Sequence, residues 1–125
     1  MKKILVVEDD PINAQILSDF LAANGYATTA ASSGTEGLER FKTDRPDLML
    51  VDVQLPRKNG FEVCWEVKRS PGGASLPVLL MSAVYTDREH ANRYSHDSLR
   101  ADGYLTKPFD LADLLQRVRD LLHEA

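Results

Sequence analysis

Short apolar runs alternate with amphipathic segments along the whole chain. The runs at residues 4–7, 48–51 and 78–81 are continuous. Such runs are typical of strands that are buried on both faces of a parallel sheet. Weaker runs at residues 26–30 and 104–105 predict two further strands, which brings the predicted number of strands to five.

The segments between the runs carry signals for the start and end of helices. Asp10 followed by Pro11 predicts an N-cap and a proline at the first helical position, and Gly25 predicts the end of that helix. Capping-box spacing occurs at residues 33–36 and again at 86–89. Residues 59–69 predict a third helix, and Asp110 predicts the N-cap of the last one. Five helices are therefore expected.

Two of these helices have apolar residues at helical spacing that predict a buried face. In the first helix they are Ile12, Ile16, Leu17, Phe20 and Leu21. In the last helix they are Leu111, Leu114, Leu115, Val118, Leu121 and Leu122.

Regular alternation of strands and helices predicts an α/β fold. The expected architecture is a single doubly wound, five-stranded parallel sheet that is flanked by five helices, with right-handed crossovers. The sequence has no internal repeat, low-complexity stretch or interdomain linker. We therefore expect one domain over residues 1–125.

Composition narrows the classes of function. The formal net charge is −4 over 125 residues, which argues against a nucleic-acid-binding surface on this domain. No apolar run approaches the roughly 20 residues that span a bilayer. The lone Cys64 cannot form an internal disulfide, and no Cys/His cluster suggests zinc. A cytoplasmic protein without a membrane segment is expected.

Acidic and polar residues follow the apolar runs. The carboxyl ends of parallel strands meet at one edge of the sheet, where α/β proteins place their sites. Residues 8–10 are all acidic, and Asp52, Ser82 and Lys107 follow or end later strands. Crowded carboxylates repel one another unless a cation lies among them, and hard oxygen ligands suit Mg2+. Mg2+, Lys107 and the Ser82 hydroxyl could each stabilise a phosphoryl group on Asp52.

The residues at these strand ends resemble the four signatures of response-regulator receiver domains, the CheY-like superfamily with a flavodoxin-like fold. The similar segments are residues 4–10 (ILVVEDD), 51–56 (VDVQLP) with Gly60, 81–83 (MSA) and 103–109 (GYLTKPF). The resemblance spans essentially the whole chain. It departs from the common pattern at Glu8, where aspartate is usual, and at Ser82, where threonine is usual. The connection from Ser82 to Lys107 is also a few residues longer than is usual.

The resemblance implies a role for each residue at this edge. Asp52 is the implied phosphoacceptor and Lys107 the phosphate-binding lysine, followed by a cis proline at Pro108. The implied ligands of Mg2+ or Mn2+ are Glu8, Asp9, Asp52 and the backbone carbonyl of Gln54. Asp10 is expected to cap a helix rather than to bind metal.

The resemblance also implies a conformational switch and its partners. Ser82 and Tyr104 match the switch positions, whose movement would remodel the face formed by the fourth predicted helix, the fifth strand and the last helix. A histidine kinase or histidine phosphotransfer protein would donate the phosphoryl group in a two-component or phosphorelay system. The chain would act as a regulator that catalyses only its own phosphorylation and dephosphorylation. The apolar Val84 predicts slow self-dephosphorylation, and phosphorylation-dependent homodimerisation is an expectation from family analogy.

Three other functions fit the sequence less well. The first is a degenerate receiver that acts only as a protein-interaction module, although such a protein would lack one of the acidic, phosphoacceptor or lysine residues. The second is a phosphatase with an aspartate nucleophile, which would resemble Asp-x-Asp after the first strand, whereas Gln54 stands two residues after Asp52. The third is a flavodoxin-like cofactor binder. The acidic residues 8–10 would repel the phosphate group of such a cofactor.

Overall fold

The computed structural model describes residues 1–83 and 101–124. Its strands are β1 (Lys3–Val7), β2 (Ala27–Ala31), β3 (Leu48–Asp52), β4 (Val78–Ala83) and β5 (Gly103–Lys107). Its helices are α1 (Pro11–Ala23), α2 (Gly34–Asp44), α3 (Gly60–Arg69) and α4 (Leu111–Leu121). Each strand and each of these helices agrees with its predicted position to within one or two residues.

The predicted fourth helix lies outside the described residues, so α4 corresponds to the last of the five predicted helices. The predicted capping box at residues 86–89 and Val84 lie outside them as well. No helix within residues 1–83 and 101–124 is long and apolar enough to cross a bilayer.

The five strands form one sheet in the order β2-β1-β3-β4-β5, and every neighbouring pair is parallel. This is the doubly wound, flavodoxin-like order, in which the chain reverses direction across the sheet between β1 and β3. The predicted fold class is therefore confirmed. Residues at the carboxyl ends of β1 and β3 become neighbours at the point where such sheets place ligands.

Apolar side chains fill the space on both faces of the sheet. One buried cluster lies between the sheet and α2 and α3, and includes Val7, Val51, Phe41, Phe61 and Cys64. The other lies between the sheet and α1 and α4, and includes Val6, Leu50, Leu21, Leu114 and Val118. Full burial of one such side chain contributes about 1.5–3 kcal/mol. Residues 4–7, 48–51 and 78–81 of the central strands are all apolar because neither face of the sheet meets water there.

Helix capping follows the predicted signals with two differences. Asp10 Oδ1 accepts from the Ile12 amide at 2.9 Å, and Ser33 Oγ accepts from the Glu36 amide at 3.1 Å. The Glu36 carboxylate, however, accepts from the amide of Ser32 instead of Ser33, at 2.6 Å. Asp110 is the N-cap of α4 by position only, since its side chain makes no capping hydrogen bond.

The predicted apolar face of α1 is only partly buried. Leu17 and Leu21 enter the core, but Ile12 and Ile16 are 70% and 49% exposed. α1 begins just beyond the carboxyl end of β1, so its first turns lie toward the rim of the sheet. The two isoleucines therefore form an exposed apolar surface beside the carboxyl edge.

Candidate functional site

Three carboxylates meet at the carboxyl edge between β1 and β3. One oxygen from each of Glu8, Asp9 and Asp52 lies within 4.8 Å of the others. Glu8 and Asp52 are each only 3% exposed, whereas Asp9 is exposed. Both buried acids come directly from strand ends, Glu8 from just past β1 and Asp52 from the last residue of β3. The predicted meeting of these acids at one edge is present in the structure.

Both oxygens of Asp52 have hydrogen-bond donors. The Gln54 amide donates to Oδ1 at 2.9 Å, and the Lys107 ammonium donates to Oδ2 at 2.9 Å. Lys107 reaches the site because it ends β5, and its peptide bond to Pro108 is cis, as the resemblance implied. The carboxylate is therefore held in one orientation with a cation against one of its oxygens.

Glu8 has an unusual acid–base environment. The pKa of its carboxyl is raised to about 8, chiefly by burial and also by the hydrogen bond and negative charge of Asp52, while the charge of Lys107 opposes the rise. The charged form of Glu8 is thus disfavoured beside Asp52 by desolvation and like-charge repulsion. A bound cation would offset both effects, because its positive charge stabilises the ionised carboxylates.

This donor set fits Mg2+. Mg2+ prefers oxygen ligands and is usually held by one or two protein carboxylates together with phosphate oxygens and water. Glu8, Asp9 and Asp52 supply oxygens only, and no other such group of acidic, histidine or cysteine ligands occurs in the described part of the chain. Asp10 is not part of this group, because its Oδ1 caps α1 as predicted. A ligand role for the Gln54 carbonyl stays a prediction.

The two residues assigned to switching lie on neighbouring strands. Asp52 pairs with Met81 in the sheet, so Ser82 lies one residue further toward the carboxyl edge. Tyr104 pairs with Leu80, two residues before Ser82, and is half-buried against the cluster under α3. Burial raises the pKa of its hydroxyl. Ser82 is near the acids and Tyr104 is further back along the sheet.

An apolar groove opens beside the acids. It has a volume of about 520 Å³ and reaches from the exposed side of α1 to the residues that follow β5. Glu8 and Lys107 of the site also line it. Its apolar lining comes from Ile16, Leu17, Met81, Pro108, Phe109 and Leu111. The sequence did not reveal this groove, because the spacing of the α1 residues placed Ile16 in the core.

The sequence also failed to reveal a buried ion pair between Lys68 and Asp102, 2.7 Å apart. Lys68 lies one turn after Cys64 and next to Val67 on the inward side of α3. Helical periodicity alone would have placed it there, but a lysine is almost never fully buried unless it is paired.

Comparison with known proteins gives consistent matches. The family model of the response regulator receiver domain matches residues 4–119. The response regulator MprA of Mycobacterium ulcerans is 41% identical over 120 residues, which cover 96% of this chain and 50% of MprA. The DNA-binding dual master transcriptional regulator RpaA of Synechocystis is 36% identical over 98% of this chain and 49% of RpaA. The chain thus spans about half the length of the curated relatives that it matches.

Among solved structures, the receiver domain of the sensor histidine kinase PA1611 from Pseudomonas aeruginosa is similar with a TM-score of 0.87. The match covers 98% of both chains at 26% identity. That structure contains a magnesium ion coordinated in the active site cleft. The similarity therefore extends over the whole sheet and both layers of helices.

Proposed function

Because the chain belongs to the family of response regulator receiver domains of two-component systems, we propose that Asp52 accepts a phosphoryl group in a Mg2+-dependent reaction. One observation carries the proposal. The carboxylate of Asp52 is buried, lies against Glu8 and Asp9, and accepts a hydrogen bond from Lys107. Acidic ligands, an acceptor carboxylate and a phosphate-binding cation are the groups that this chemistry requires.

The proposed step is a displacement at phosphorus. A carboxylate oxygen of Asp52 attacks the phosphorus of a phosphohistidine on the partner, and an O–P bond forms as the P–N bond breaks. The electron pair of that bond returns to the imidazole nitrogen. Hydrolysis then restores the carboxylate of Asp52. Water attacks the phosphorus, the O–P bond to Asp52 breaks, and inorganic phosphate leaves. The chain so acts on its own Asp52 rather than on an external substrate.

The residues of the site would stabilise the charge that gathers during transfer. Lys107 lies against the acceptor carboxylate and is placed to neutralise a phosphoryl oxygen. The Gln54 amide keeps Asp52 in position. Mg2+, held by Glu8, Asp9, Asp52 and the Gln54 carbonyl, would supply further positive charge when bound.

Removal of one proposed metal ligand should weaken Mg2+ binding. Asp9→Asn is expected to raise the Kd for Mg2+ by about tenfold or more, because Mg2+ relies on very few protein carboxylates. Asp10→Asn is the matched control, since Asp10 is the adjacent acid and asparagine is equally good at an N-cap. Isothermal titration calorimetry measures both. Equal Kd values for the two variants would contradict the assignment of Asp9.

The apolar groove suggests where the phosphoryl donor docks. A histidine kinase or histidine phosphotransfer protein must bring its phosphohistidine to Asp52, so its binding surface must lie beside the acids. The exposed Ile16 lines the same groove as Phe109, Glu8 and Lys107, and the exposed Ile12 lies one turn before Ile16 on α1. Exposed apolar patches of this kind mark protein–protein contacts. We assign this surface to the donor.

A charged residue introduced into that surface should slow phosphorylation by the kinase but not phosphorylation by acetyl phosphate. Ile16→Asp is expected to slow transfer from the cognate phosphorylated kinase by about tenfold or more, which corresponds to ~1.4 kcal/mol of lost binding. Uptake from acetyl phosphate, which needs no docking, should stay within about twofold. Trp65→Asp, at another exposed apolar residue, is the control. A kinase-driven rate that Ile16→Asp leaves unchanged would place the docking surface elsewhere.

The proposed output is a change at Ser82 and Tyr104 that remodels the face around β5. The relatives MprA and RpaA are about twice as long as this chain. The whole protein would pass the signal to a fused effector or to a separate partner, and receiver homodimerisation is one route. We place this activity in the cytoplasm, where such phosphodonors act, and not at a nucleic acid or membrane bound by this domain.

Intact mass spectrometry tests the proposed function. Incubation with acetyl phosphate should add one phosphoryl group to the wild type in the presence of Mg2+, and none after chelation of the metal. A degenerate receiver, which acts only as an interaction module, would gain no mass although it folds and binds its partners.

A further inference from the structure

A buried lysine joins α3 to the start of β5, at the edge of the sheet opposite the acids. The Lys68 side chain is only 2% exposed. Its ammonium donates to Asp102 Oδ2 at 2.7 Å and also to the Leu76 carbonyl. A buried charge is tolerated only with good partners, so this contact strongly constrains the positions of both residues.

Asp102 holds two strands together as well as pairing with Lys68. Its Oδ2 accepts from the Val78 amide at 2.8 Å, and its own amide donates to the Val78 carbonyl at 3.0 Å. Val78 begins β4, and Asp102 immediately precedes β5. One carboxylate therefore fixes the position of α3, β4 and β5 relative to one another.

Tyr104 lies two residues after Asp102, on the same side of β5, and also faces α3. Residues four apart share a face of a helix, and residues two apart share a side of a strand. Cys64, four residues before Lys68, thus shares its face of α3. Tyr104, two residues after Asp102, shares its side of the strand. Tyr104 packs against the buried cluster that contains Cys64. Gly103, which separates Asp102 from Tyr104, pairs with Leu79 of β4, so the sheet holds the backbone between them.

We propose that Lys68 and Asp102 are positioning residues that hold Tyr104 in one orientation in the unphosphorylated protein. The ion pair supplies a fixed point at the start of β5, from which the Tyr104 side chain can respond to Asp52 at the other end of the sheet. Without the pair, Tyr104 exchanges between orientations whatever the state of Asp52. The inference rests on the proposed switching role of Tyr104 and extends the switch to residues far from the phosphorylated edge.

The test removes the ion pair without leaving a buried charge. Lys68→Met keeps the length of the side chain, and the Asp102 carboxylate, 36% exposed, keeps its bond from the Val78 amide. Removal of Asp102 alone would instead leave a buried, unpaired ammonium, which is strongly destabilising. Arg69→Met is the matched control, because Arg69 is the adjacent residue and stacks on the outward-facing Trp65.

The readout is 19F NMR of protein labelled with 3-fluorotyrosine. Four tyrosines are present, and Tyr104→Phe assigns the resonance of interest. Without any phosphodonor, wild type and Arg69→Met should show one sharp Tyr104 line. Lys68→Met should show that line split or broadened about twofold or more, with the Tyr26 line unchanged. A single, unshifted Tyr104 line in folded Lys68→Met would overturn the inference.

A second arm separates this inference from the proposed function. After acetyl phosphate and Mg2+, Lys68→Met should gain the same mass as the wild type, but its Tyr104 shift should be about half or less. If the wild type gains no mass, the proposed function fails, while the comparison of unphosphorylated proteins still decides the role of the ion pair. If Lys68→Met does not fold, Lys68→Met/Asp102→Asn removes both charges and is judged by the same line shape.

Discussion

Replacement of Lys107 by methionine is expected to slow phosphoryl uptake from acetyl phosphate by about 100-fold or more. The ammonium lies 2.9 Å from Asp52 Oδ2 and donates a hydrogen bond to this oxygen. Loss of a single preorganised donor at developing negative charge typically costs 10²–10³ in rate. Its removal would also leave Glu8 and Asp52 without the opposing charge that lowers the pKa of Glu8. Rapid mixing followed by mass spectrometry measures the rate.

Two variants sharpen this prediction. Lys107→Arg keeps the charge but not the shape, so uptake should recover only in part. Lys58→Met is the matched control, because Lys58 lies in the loop after β3 and pairs with Glu66 at the surface instead of with the acids. Surface pairs of this kind contribute only about 0–1 kcal/mol. A folded Lys107→Met protein with the uptake rate of Lys58→Met would show that the lysine has no part in transfer.

Replacement of Gly60 by alanine is expected to lower both the free energy of unfolding and the rate of phosphoryl uptake. A Cβ at this position would lie 2.4 Å from the Asp52 carbonyl oxygen and 2.7 Å from Val53 Cα. Both atoms are backbone, so neither can rotate away, and relief requires α3 to move from the end of β3. Overpacking of this kind costs about 1–3 kcal/mol or more. Urea unfolding of Gly60→Ala should show that loss, and phosphoryl uptake should fall because Asp52 is displaced.

Gly103→Ala is the control for added volume. Its Cβ would meet Leu79 Cδ1 at 3.1 Å, which is the end of a side chain that can shift by a few tenths of an ångström. Gly103→Ala should therefore unfold close to the wild-type urea concentration. If Gly60→Ala were equally stable and took up phosphate normally, the close approach of α3 to β3 would not be needed for the site.

Much of the fold could be predicted because its signals are local. The central strands are continuous apolar runs, since both of their faces are covered, and Asp10 and Ser33 precede helices at the usual capping positions. Strand order does not follow from these signals alone. The general rule for sites in parallel sheets nevertheless brought Glu8, Asp9 and Asp52 to one edge, and the structure places them within 4.8 Å of one another.

The features that could not be predicted depend on which other parts of the fold pack against a residue. Ile16 has the spacing of a core residue, but it is exposed because the first turns of α1 lie toward the rim of the sheet. Lys68 has the spacing of a core residue as well, although a lysine is almost never fully buried unless it is paired. Its partner Asp102 is 34 residues away along the chain. Spacing specifies which face of a helix a residue occupies, but not what covers that face.

The central claim is that Asp52 itself carries the phosphoryl group, and chemical trapping tests it most directly. Borohydride reduces an aspartyl phosphate to homoserine, which peptide mass spectrometry locates in the sequence. After incubation with acetyl phosphate and Mg2+, homoserine should appear at position 52 of the wild type, and no acid should be reduced in Asp52→Asn. Homoserine at Asp9, reduction at Glu8, or unmodified peptides throughout a folded wild-type protein would contradict the assignment.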